Sequence, residues 1–235
     1  MYIQGLQKLT LLDYPEKLAC TVFTAGCNFR CPFCHNASLV RGTGEEPMAE
    51  EDFFAFLQSR RGILEGVCVT GGEPTLHHDL PELLRQIRSL GFSVKLDTNG
   101  SRPEVLKSLA AQKLVDYVAV DAKNGPEYYA QTVGTERLDM AALEESLRFL
   151  IEGNVDYELR TTLVEPLHTE ESIAEMGKWL ASLVPGKKPK RLFLQSFVDR
   201  DTVIFSGLSA PEEATVERYG EILAEFVETV TIRNK

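Results

Sequence analysis

The sequence predicts an α/β protein built as a partial, open (βα)6 barrel. Three observations lead to this fold class. Short β-branched runs alternate with helical patterns, six such strand–helix units follow one another, and the 235 residues are few for a full eight-unit barrel, which has about 250. An open, flat, doubly wound sheet is the alternative. In either fold, the functional site lies at the carboxyl ends of the strands.

The individual elements follow from the spacing of apolar residues along the chain. Strands are predicted over residues 18–24, 67–70, 93–98, 117–121, 157–164 and 191–195, and helices over 48–60, 79–90, 103–111, 140–151, 170–183 and 211–229. Prolines 81 and 103 suit the first turns of two of these helices, and Gly153 is a natural helix stop. No linker or repeat divides the chain. We therefore expect a single domain over 1–235, with a lead-in over 1–17, a barrel core over about 18–200 and a C-terminal helix over about 211–229.

The composition excludes several classes of protein. The chain is 43% hydrophobic and 26% charged, as in an ordinary globular domain, and its net charge is −10. This negative balance argues against a general nucleic-acid binder or a binder of anionic membranes, both of which need a basic surface. No apolar run approaches the length of a transmembrane helix, and the first residues do not resemble a signal peptide. We therefore expect a cytoplasmic protein.

Three cysteines with the spacing Cys-x3-Cys-x2-Cys form the most informative motif. They are Cys27, Cys31 and Cys34, directly after the first predicted strand. A [4Fe–4S] cluster usually takes four cysteine ligands. Three ligands leave one iron open to a substrate or cofactor, just as an open coordination position distinguishes catalytic zinc sites from structural ones. The motif therefore favours an open cluster in an enzyme. The alternatives are a zinc site completed by His35 and redox or structural thiols.

The other two cysteines, Cys20 and Cys68, lie in apolar runs and are interpreted as small buried side chains. A disulfide framework is not expected, because five cysteines are an odd number and the chain is long.

Four of the predicted strands carry a polar face. Side chains in a strand alternate sides with a period of two, and a fully buried parallel strand would be apolar on both faces. The charged or polar residues that share a face within a strand are Lys95 with Asp97, Asp121 with Lys123, Glu158 with Arg160 and Thr162, and Arg191 with Gln195. This pattern indicates a charged, wet barrel interior. The alternative is that some of these residues lie at strand ends and simply face water.

Two further motifs lie at predicted strand ends. Gly71-Gly72-Glu73-Pro74 follows the second strand, where glycines allow close backbone approach or a positive φ. Glu73 could accept hydrogen bonds from a ligand amine. Asp97-Thr98-Asn99-Gly100 ends the third strand, and its simplest interpretation is an ordinary turn.

Taken in order, the cysteine triad, the Gly71-Gly72-Glu73-Pro74 motif and Asp121-x-Lys123 resemble the radical S-adenosylmethionine (SAM) superfamily. The strand–helix alternation over about residues 18–200 agrees with that superfamily's partial (βα)6 barrel. Within it, Cys34-His35-Asn36 and the Asp97–Gly100 stretch are similar to glycyl-radical-enzyme activases, and the whole chain is similar to the short branch that activates anaerobic ribonucleoside-triphosphate reductase. The lead-in also resembles theirs, except that Glu16 stands where a glycine commonly follows the proline.

The resemblance implies two cofactors. Cys27, Cys31 and Cys34 would bind a [4Fe–4S] cluster, and the amino and carboxylate groups of SAM would chelate the fourth iron. Reduction of the cluster would cleave SAM to methionine and a 5′-deoxyadenosyl radical. The residues implied in SAM binding are Phe33, His35, Gly71, Gly72, Glu73, Asp97, Thr98, Asp121, Lys123, Arg160 and Gln195. Of these, Asp97 and Thr98 could also contribute to a monovalent-cation site, and His168 lies in a loop on the same side of the barrel.

The resemblance also implies partners. A glycyl-radical enzyme would be the protein substrate, losing a hydrogen atom from a glycine Cα, and flavodoxin or ferredoxin would donate the electron. A second hypothesis is a radical SAM enzyme that acts on a small molecule or nucleoside, such as a deazapurine-forming synthase, with Arg160 and Lys95 holding the substrate. A third is an electron-transfer or metal-storage protein without catalysis.

Overall fold

The computed structural model describes residues 3–41, 46–199, 203 and 205–233. Its strands are β1 (Ile3–Thr10), β2 (Ala19–Thr24), β3 (Gly66–Gly71), β4 (Ser93–Thr98), β5 (Tyr117–Asp121), β6 (Asp156–Leu163), β7 (Arg191–Ser196) and β8 (Thr229–Arg233). Its helices are α1 (Ala37–Arg41), α2 (Glu50–Ser59), α3 (Leu80–Ser89), α4 (Pro103–Ala111), α5 (Pro126–Val133), α6 (Met140–Ile151), α7 (Glu170–Ser182) and α8 (Glu213–Ala224), with a short 3-10 helix over Pro74–Leu76. The sheet order follows the chain from β1 to β8.

The chain divides into two compact units, of which the first contains β1 to β4. It comprises Met1–Asn28, Ser38–Thr98 and Glu104–Ala119. In this unit β1 pairs antiparallel with β2, whereas β2, β3 and β4 are parallel. The valines of β3 are completely buried, as expected for a parallel strand with both faces covered. The buried part of β3 is thus apolar, and the glycines and the charged residue of the Gly71-Gly72-Glu73 motif lie where the strand ends and the next loop begins.

The second unit contains β6, β7 and β8, which are parallel. It comprises Phe29–Ala37, Asn99–Pro103 and Val120–Lys235. Helix α7 begins at a capping box, in which the Thr169 hydroxyl accepts from the Ser172 backbone N–H and the Ser172 hydroxyl accepts from the Thr169 N–H. On the same helix, Trp179 is 8% exposed, and its ring meets that of Tyr129 edge-on at 5.9 Å. Trp179 is therefore a packing residue.

Most of the predicted elements lie within two residues of their expected ends, and the α/β class with parallel strands is confirmed. No element was predicted within the lead-in over 1–17, where the structure has strand β1. The predicted helix over 211–229 is wrong at its C-terminal end, since α8 stops at Ala224 and Thr229–Arg233 form β8. Helix α5 is also additional; it has a proline in its first turn, and Gly134 ends it with φ of +62°.

The turn before β2 contains a backbone conformation that favours glycine. Glu16 has φ of +61°, in the left-handed region. This is the position where the resemblance leads one to expect a glycine. The chain therefore keeps the turn geometry while replacing the residue type that adopts it most easily.

Within the described residues, every helix is too short or too polar to cross a bilayer.

Candidate functional site

The cysteine loop passes from the first unit into the second between Asn28 and Phe29. None of the three cysteines of the motif forms a disulfide; Cys31 is 8% exposed, and the other two are half-buried. The backbone N–H of Cys34 donates to the Cys31 carbonyl at 3.0 Å, so the last two cysteines lie in a tight turn.

Before the first cysteine, the loop is fixed against the end of β3. The Gly26 carbonyl accepts from the Glu73 N–H at 2.7 Å, and the Gly72 N–H donates to the Thr24 carbonyl at 2.8 Å. A Cβ on Gly72 would lie 1.9 Å from the Gly26 oxygen, and Gly71 has φ of +118°. The two glycines are therefore required because the backbone of β3 comes into direct contact with the backbone that leads to Cys27.

The Glu73 carboxylate is completely buried and well supplied with donors. Its Oε1 accepts from the Thr75 backbone N–H at 3.0 Å, from the Thr75 hydroxyl at 2.5 Å, and from the Thr98 hydroxyl at 2.7 Å. A buried carboxylate needs such donors. Glu73 and Thr98, both predicted site residues, thus meet in the first unit, at the carboxyl ends of β3 and β4.

Asp97, the residue before Thr98, forms an ion pair with Lys95 on the same strand. Lys95 is completely buried, and Asp97 is 9% exposed. The shared face predicted for these two residues is therefore an ion pair inside the first unit.

In the second unit, Asp121 at the end of β5 binds two cations. Its Oδ2 lies 2.8 Å from the Lys123 ammonium, and its Oδ1 lies 3.2 Å from Nε of Arg160 on β6. The Lys123 ammonium also lies 5.7 Å from the centre of the Phe33 ring, in the cysteine loop. Four predicted site residues are thus brought together.

The pKa values of Asp121 and Lys123 reflect this pairing. Burial alone would raise the pKa of Asp121, but the charges and hydrogen bonds of Lys123 and Arg160 outweigh it and lower this pKa to about 2. Burial would lower the pKa of Lys123, but the negative charges of Asp121 and of the Cys31 thiolate raise it above its usual range. Lys123 is therefore a permanent cation whose charge acts on one of the three cysteines.

The charge pattern continues to β8. The Glu158 side chain is 1% exposed and lies between Nη1 of Arg160, at 4.0 Å, and Nη2 of Arg233, at 3.0 Å. The Arg233 guanidinium also stacks over the ring of Phe193, 3.8 Å from its centre. The ion pairs therefore form a continuous chain of alternating charge in space. Its members, in order of contact, are Lys123, Asp121, Arg160, Glu158 and Arg233.

The backbone that carries Asp121 and Lys123 is held by side chains from other elements. The Tyr129 hydroxyl donates to the Asp121 carbonyl at 3.0 Å, the Thr161 hydroxyl to the Ala122 carbonyl at 2.7 Å, and Nε2 of His168 to the Lys123 carbonyl at 2.8 Å. Three successive carbonyls therefore each have a side-chain donor. Because these groups are buried, the bonds fix the path of the main chain.

His168 is part of this backbone support. Its Nδ1 accepts from the Val164 N–H at 3.0 Å, and the side chain is 2% exposed. Acceptance at Nδ1 and donation at Nε2 define a neutral imidazole. Burial lowers the pKa of His168, and the nearby Lys123 charge lowers it further, against two backbone hydrogen bonds that raise it.

The two other predicted residues have different surroundings. Nε2 of His35 donates to the Val198 carbonyl at 2.6 Å, and its ring stacks on Phe197 at 5.5 Å. Gln195 is exposed near the end of β7, opposite Thr162 and Arg233 in the register.

Several residues at the site were not predicted from the sequence. The β-branched alternation of residues 229–233 would have identified β8, and with it Arg233. Tyr129 and Thr161 gave no such signal, because their role depends on contacts with a distant backbone.

The residues present fit the two cofactors that the resemblance implies. Among the described residues, no three His, Cys, Asp or Glu side chains are grouped to hold one metal ion. A [4Fe–4S] cluster makes a different demand, because its cysteines bind different irons. None of these cysteines is held in a disulfide, and the charges of Lys123 and Cys31 act on each other. Lys123 also offers a cation to a carboxylate such as that of SAM.

Comparison with known proteins gives a consistent result. The profile of the Radical SAM superfamily matches residues 21–180. A protein of Methanocaldococcus jannaschii named "Putative glycyl-radical enzyme activating enzyme" is 33% identical over 98% of this chain and 95% of its own length. A 7-carboxy-7-deazaguanine synthase of Thermococcus kodakarensis is 29% identical over 70% of this chain and 69% of its own length.

Solved structures share the fold. A domain of the pyruvate-formate lyase-activating enzyme from Bacteroides vulgatus has a TM-score of 0.58 and 23% identity, over 72% of this chain and 99% of that chain. SuiB of Streptococcus suis, bound to its precursor peptide SuiA, has a TM-score of 0.70 and 14% identity, over 91% of this chain and 48% of that chain. The predicted fold class, an α/β open (βα)6 barrel of the radical SAM type, is confirmed.

Replacing Gly72 by alanine should damage the cysteine loop, because the new Cβ would overlap the Gly26 carbonyl. We expect Gly72→Ala to lower the free energy of unfolding by about 1–3 kcal/mol and to reduce the iron bound after anaerobic reconstitution. Gly220→Ala is the control, because its Cβ would meet its nearest neighbour, Ile232, at an ordinary 3.5 Å. Unchanged stability and iron content in Gly72→Ala would contradict this account.

The neutral state of His168 makes stability depend on pH. Because the folded-state pKa is lowered, the unfolded chain binds a proton more readily as the pH falls below about 6.5, the ordinary value for histidine. When the pH falls from 7.5 to 5.5, the free energy of unfolding of the wild type should therefore decrease by up to about 1 kcal/mol more than that of His168→Gln. Urea unfolding at the two pH values measures this difference. The control is His78→Gln, because His78 is exposed. Equal losses in the wild type and His168→Gln would show that His168 is not held neutral.

Proposed function

Since the chain belongs to the radical SAM superfamily, we propose that it is an activating enzyme that generates a glycyl radical on a partner protein. The observation that carries this proposal is the likeness to the Methanocaldococcus jannaschii protein, which extends over nearly the whole of both chains. An alignment over nearly the whole of both chains includes the loops as well as the barrel, and loops carry much of an enzyme's specificity.

The cofactors of the proposed reaction are a [4Fe–4S] cluster on Cys27, Cys31 and Cys34, and SAM. When bound, they would supply the one-electron cleavage of SAM that makes removal of a hydrogen atom from a glycine Cα possible. The partner is a glycyl-radical enzyme such as an anaerobic ribonucleotide reductase. The electron comes from a reduced flavodoxin or ferredoxin. This chemistry requires reducing, anaerobic conditions, as expected in the cytoplasm of an anaerobically growing cell.

The protein's own residues bind and orient SAM in this proposal. Lys123 is fixed by Asp121 and offers its ammonium to the methionine carboxylate, while Gly71, Gly72 and Glu73 line the methionine amine. Phe33 and His35 lie near the adenine, and Asp97, Thr98, Arg160 and Gln195 complete the proposed contacts. The buried backbone support from Tyr129, Thr161 and His168 keeps the Asp121–Lys123 segment in place before the cofactor binds.

The second candidate is a radical SAM enzyme for a small molecule. It is favoured by the likeness to the 7-carboxy-7-deazaguanine synthase of Thermococcus kodakarensis. The burial of Lys95 argues against it. Lys95, one of the two cations expected to hold such a substrate, is completely buried and pairs with Asp97. A substrate anion would have to enter the interior of the first unit to reach it.

The proposed activity is tested by anaerobic reconstitution with iron, sulfide, SAM and a reductant. We expect 5′-deoxyadenosine in the solution and a glycyl-radical signal by electron paramagnetic resonance when an anaerobic ribonucleotide reductase is added. Cys34→Ala should abolish both, whereas the control Cys20→Ala, which removes a buried thiol outside the motif, should retain them. SAM cleavage without a radical on any candidate glycyl-radical enzyme would refute the activase and favour the second candidate. Cleavage by Cys34→Ala would refute the cluster assignment.

The role of Lys123 is tested by its replacement with methionine, which has similar length and no charge. Loss of a charge-assisted hydrogen bond should raise the dissociation constant of SAM about tenfold or more in the reconstituted protein. Lys178→Met, on the exposed side of α7, is the control and should bind SAM as the wild type does. If Lys123→Met binds SAM with wild-type affinity, the ammonium is not a SAM ligand.

A further inference from the structure

Lys95 is an unusual lysine, because none of its surface is exposed to water. Lysine is almost never fully buried unless its charge is paired. The ammonium of Lys95 contacts Oδ1 of Asp97 and lies 3.9 Å from Sγ of Cys68 on the neighbouring strand β3. Lys95 and Asp97 are two residues apart on β4, so their side chains lie on one face.

The ion pair involves the same carboxylate that the sequence suggested for a monovalent-cation site. The second suggested ligand, Thr98, donates its hydroxyl hydrogen to Oε1 of Glu73 at 2.7 Å. Both residues therefore already have partners within the first unit. A lysine ammonium and a monovalent metal ion carry the same charge, and both are attracted to the same carboxylate oxygen.

We propose that Lys95 is a built-in monovalent cation: its ammonium permanently supplies the positive charge at Asp97, so that this protein binds no sodium or potassium ion there. Lys95 is thus a positioning residue, which fixes the Asp97 carboxylate and through it the end of β4. The proposal is independent of the partner or substrate, because it concerns only the charges within the first unit.

The position of Lys95 also explains why the pair can be buried. Two opposite charges in contact cost far less to remove from water than either one alone, provided that the pair stays intact. A free ion would have to be recruited from solution at each folding event. A lysine on the same strand is instead delivered by the chain itself, because the two-residue spacing places it beside Asp97.

The first test uses the wild-type holoprotein and needs no variant. Thermal unfolding is followed at constant ionic strength in potassium, sodium, ammonium or tetramethylammonium chloride, the last being too large for a site built around a carboxylate. We expect the same midpoint in all four salts, and the same rate of SAM cleavage. A midpoint or rate that rises with potassium, and no longer does so in Asp97→Asn, would overturn the proposal, because an ion would then bind at Asp97 in the presence of Lys95.

The second test removes the built-in cation. Lys95→Ala removes the ammonium from the Asp97 carboxylate and leaves space where the side chain was. We expect its unfolding midpoint to be lower than that of the wild type in tetramethylammonium chloride, and to be partly restored by potassium, ammonium or ethylammonium. Such a cation-specific rescue would not follow from a purely structural loss of packing. A variant that folds and shows no difference among the cations would overturn the proposal.

Two control variants complete the second test. In Lys95→Ala/Asp97→Asn the carboxylate is also removed, so the response to small cations should disappear. In Lys178→Ala an exposed lysine of α7 is removed, and the midpoint should remain independent of the cation, as in the wild type. If the double variant responds to potassium as Lys95→Ala does, the ion binds elsewhere and the proposal is wrong. If Lys95→Ala does not fold, the wild-type measurement and Asp97→Asn decide the question by themselves.

Discussion

Pairing of opposite charges two residues apart along the chain is the interaction on which the candidate site depends. Lys95 and Asp97 pair in this way on β4, Asp121 at the end of β5 pairs with Lys123 just beyond it, and Glu158 approaches Arg160 on β6. Each strand thereby brings its own counter-charge to a buried face. A buried charge is tolerated only when it is paired and hydrogen-bonded. Because side chains two residues apart lie on the same face of a strand, an opposite charge at that spacing is placed beside its partner. In this way three consecutive strands carry charged groups together with their counter-charges.

The same feature explains what could be predicted from the sequence. The alternation of charged and apolar residues identified the polar faces of β4, β5 and β6, because side-chain direction in a strand is a local property. The spacing of the cysteines and the Gly71-Gly72 pair were likewise visible as motifs. What these glycines contact was not visible: they lie against the backbone at Thr24 and Gly26, far away along the chain.

There are also physical reasons why some elements and contacts were not predicted from the sequence. Strand β8 begins shortly after α8 ends, so the predicted helix over 211–229 reaches its first residue, although the β-branched alternation of 229–233 indicates a strand. Arg233, at the end of β8, has its role only because Glu158 and Phe193 lie beside it. His168 could be placed in the correct loop from the sequence, but its bonds to the Lys123 carbonyl and the Val164 N–H arise from tertiary structure. Partners of this kind cannot be inferred from one sequence.

The backbone support beneath Asp121 and Lys123 has a consequence for how such a site can diversify. The supporting hydrogen bonds go to the main-chain carbonyls of residues 121 to 123 and not to their side chains; the donors are Tyr129, Thr161 and His168. The path of the chain is therefore largely uncoupled from the chemistry that it displays. The side chains at 121 and 123 can therefore be exchanged as a pair, which leaves no buried charge without its counter-charge, while the main chain keeps its path. A fold that supports the backbone separately from the reactive side chains can acquire new specificities by such paired substitutions without losing its architecture.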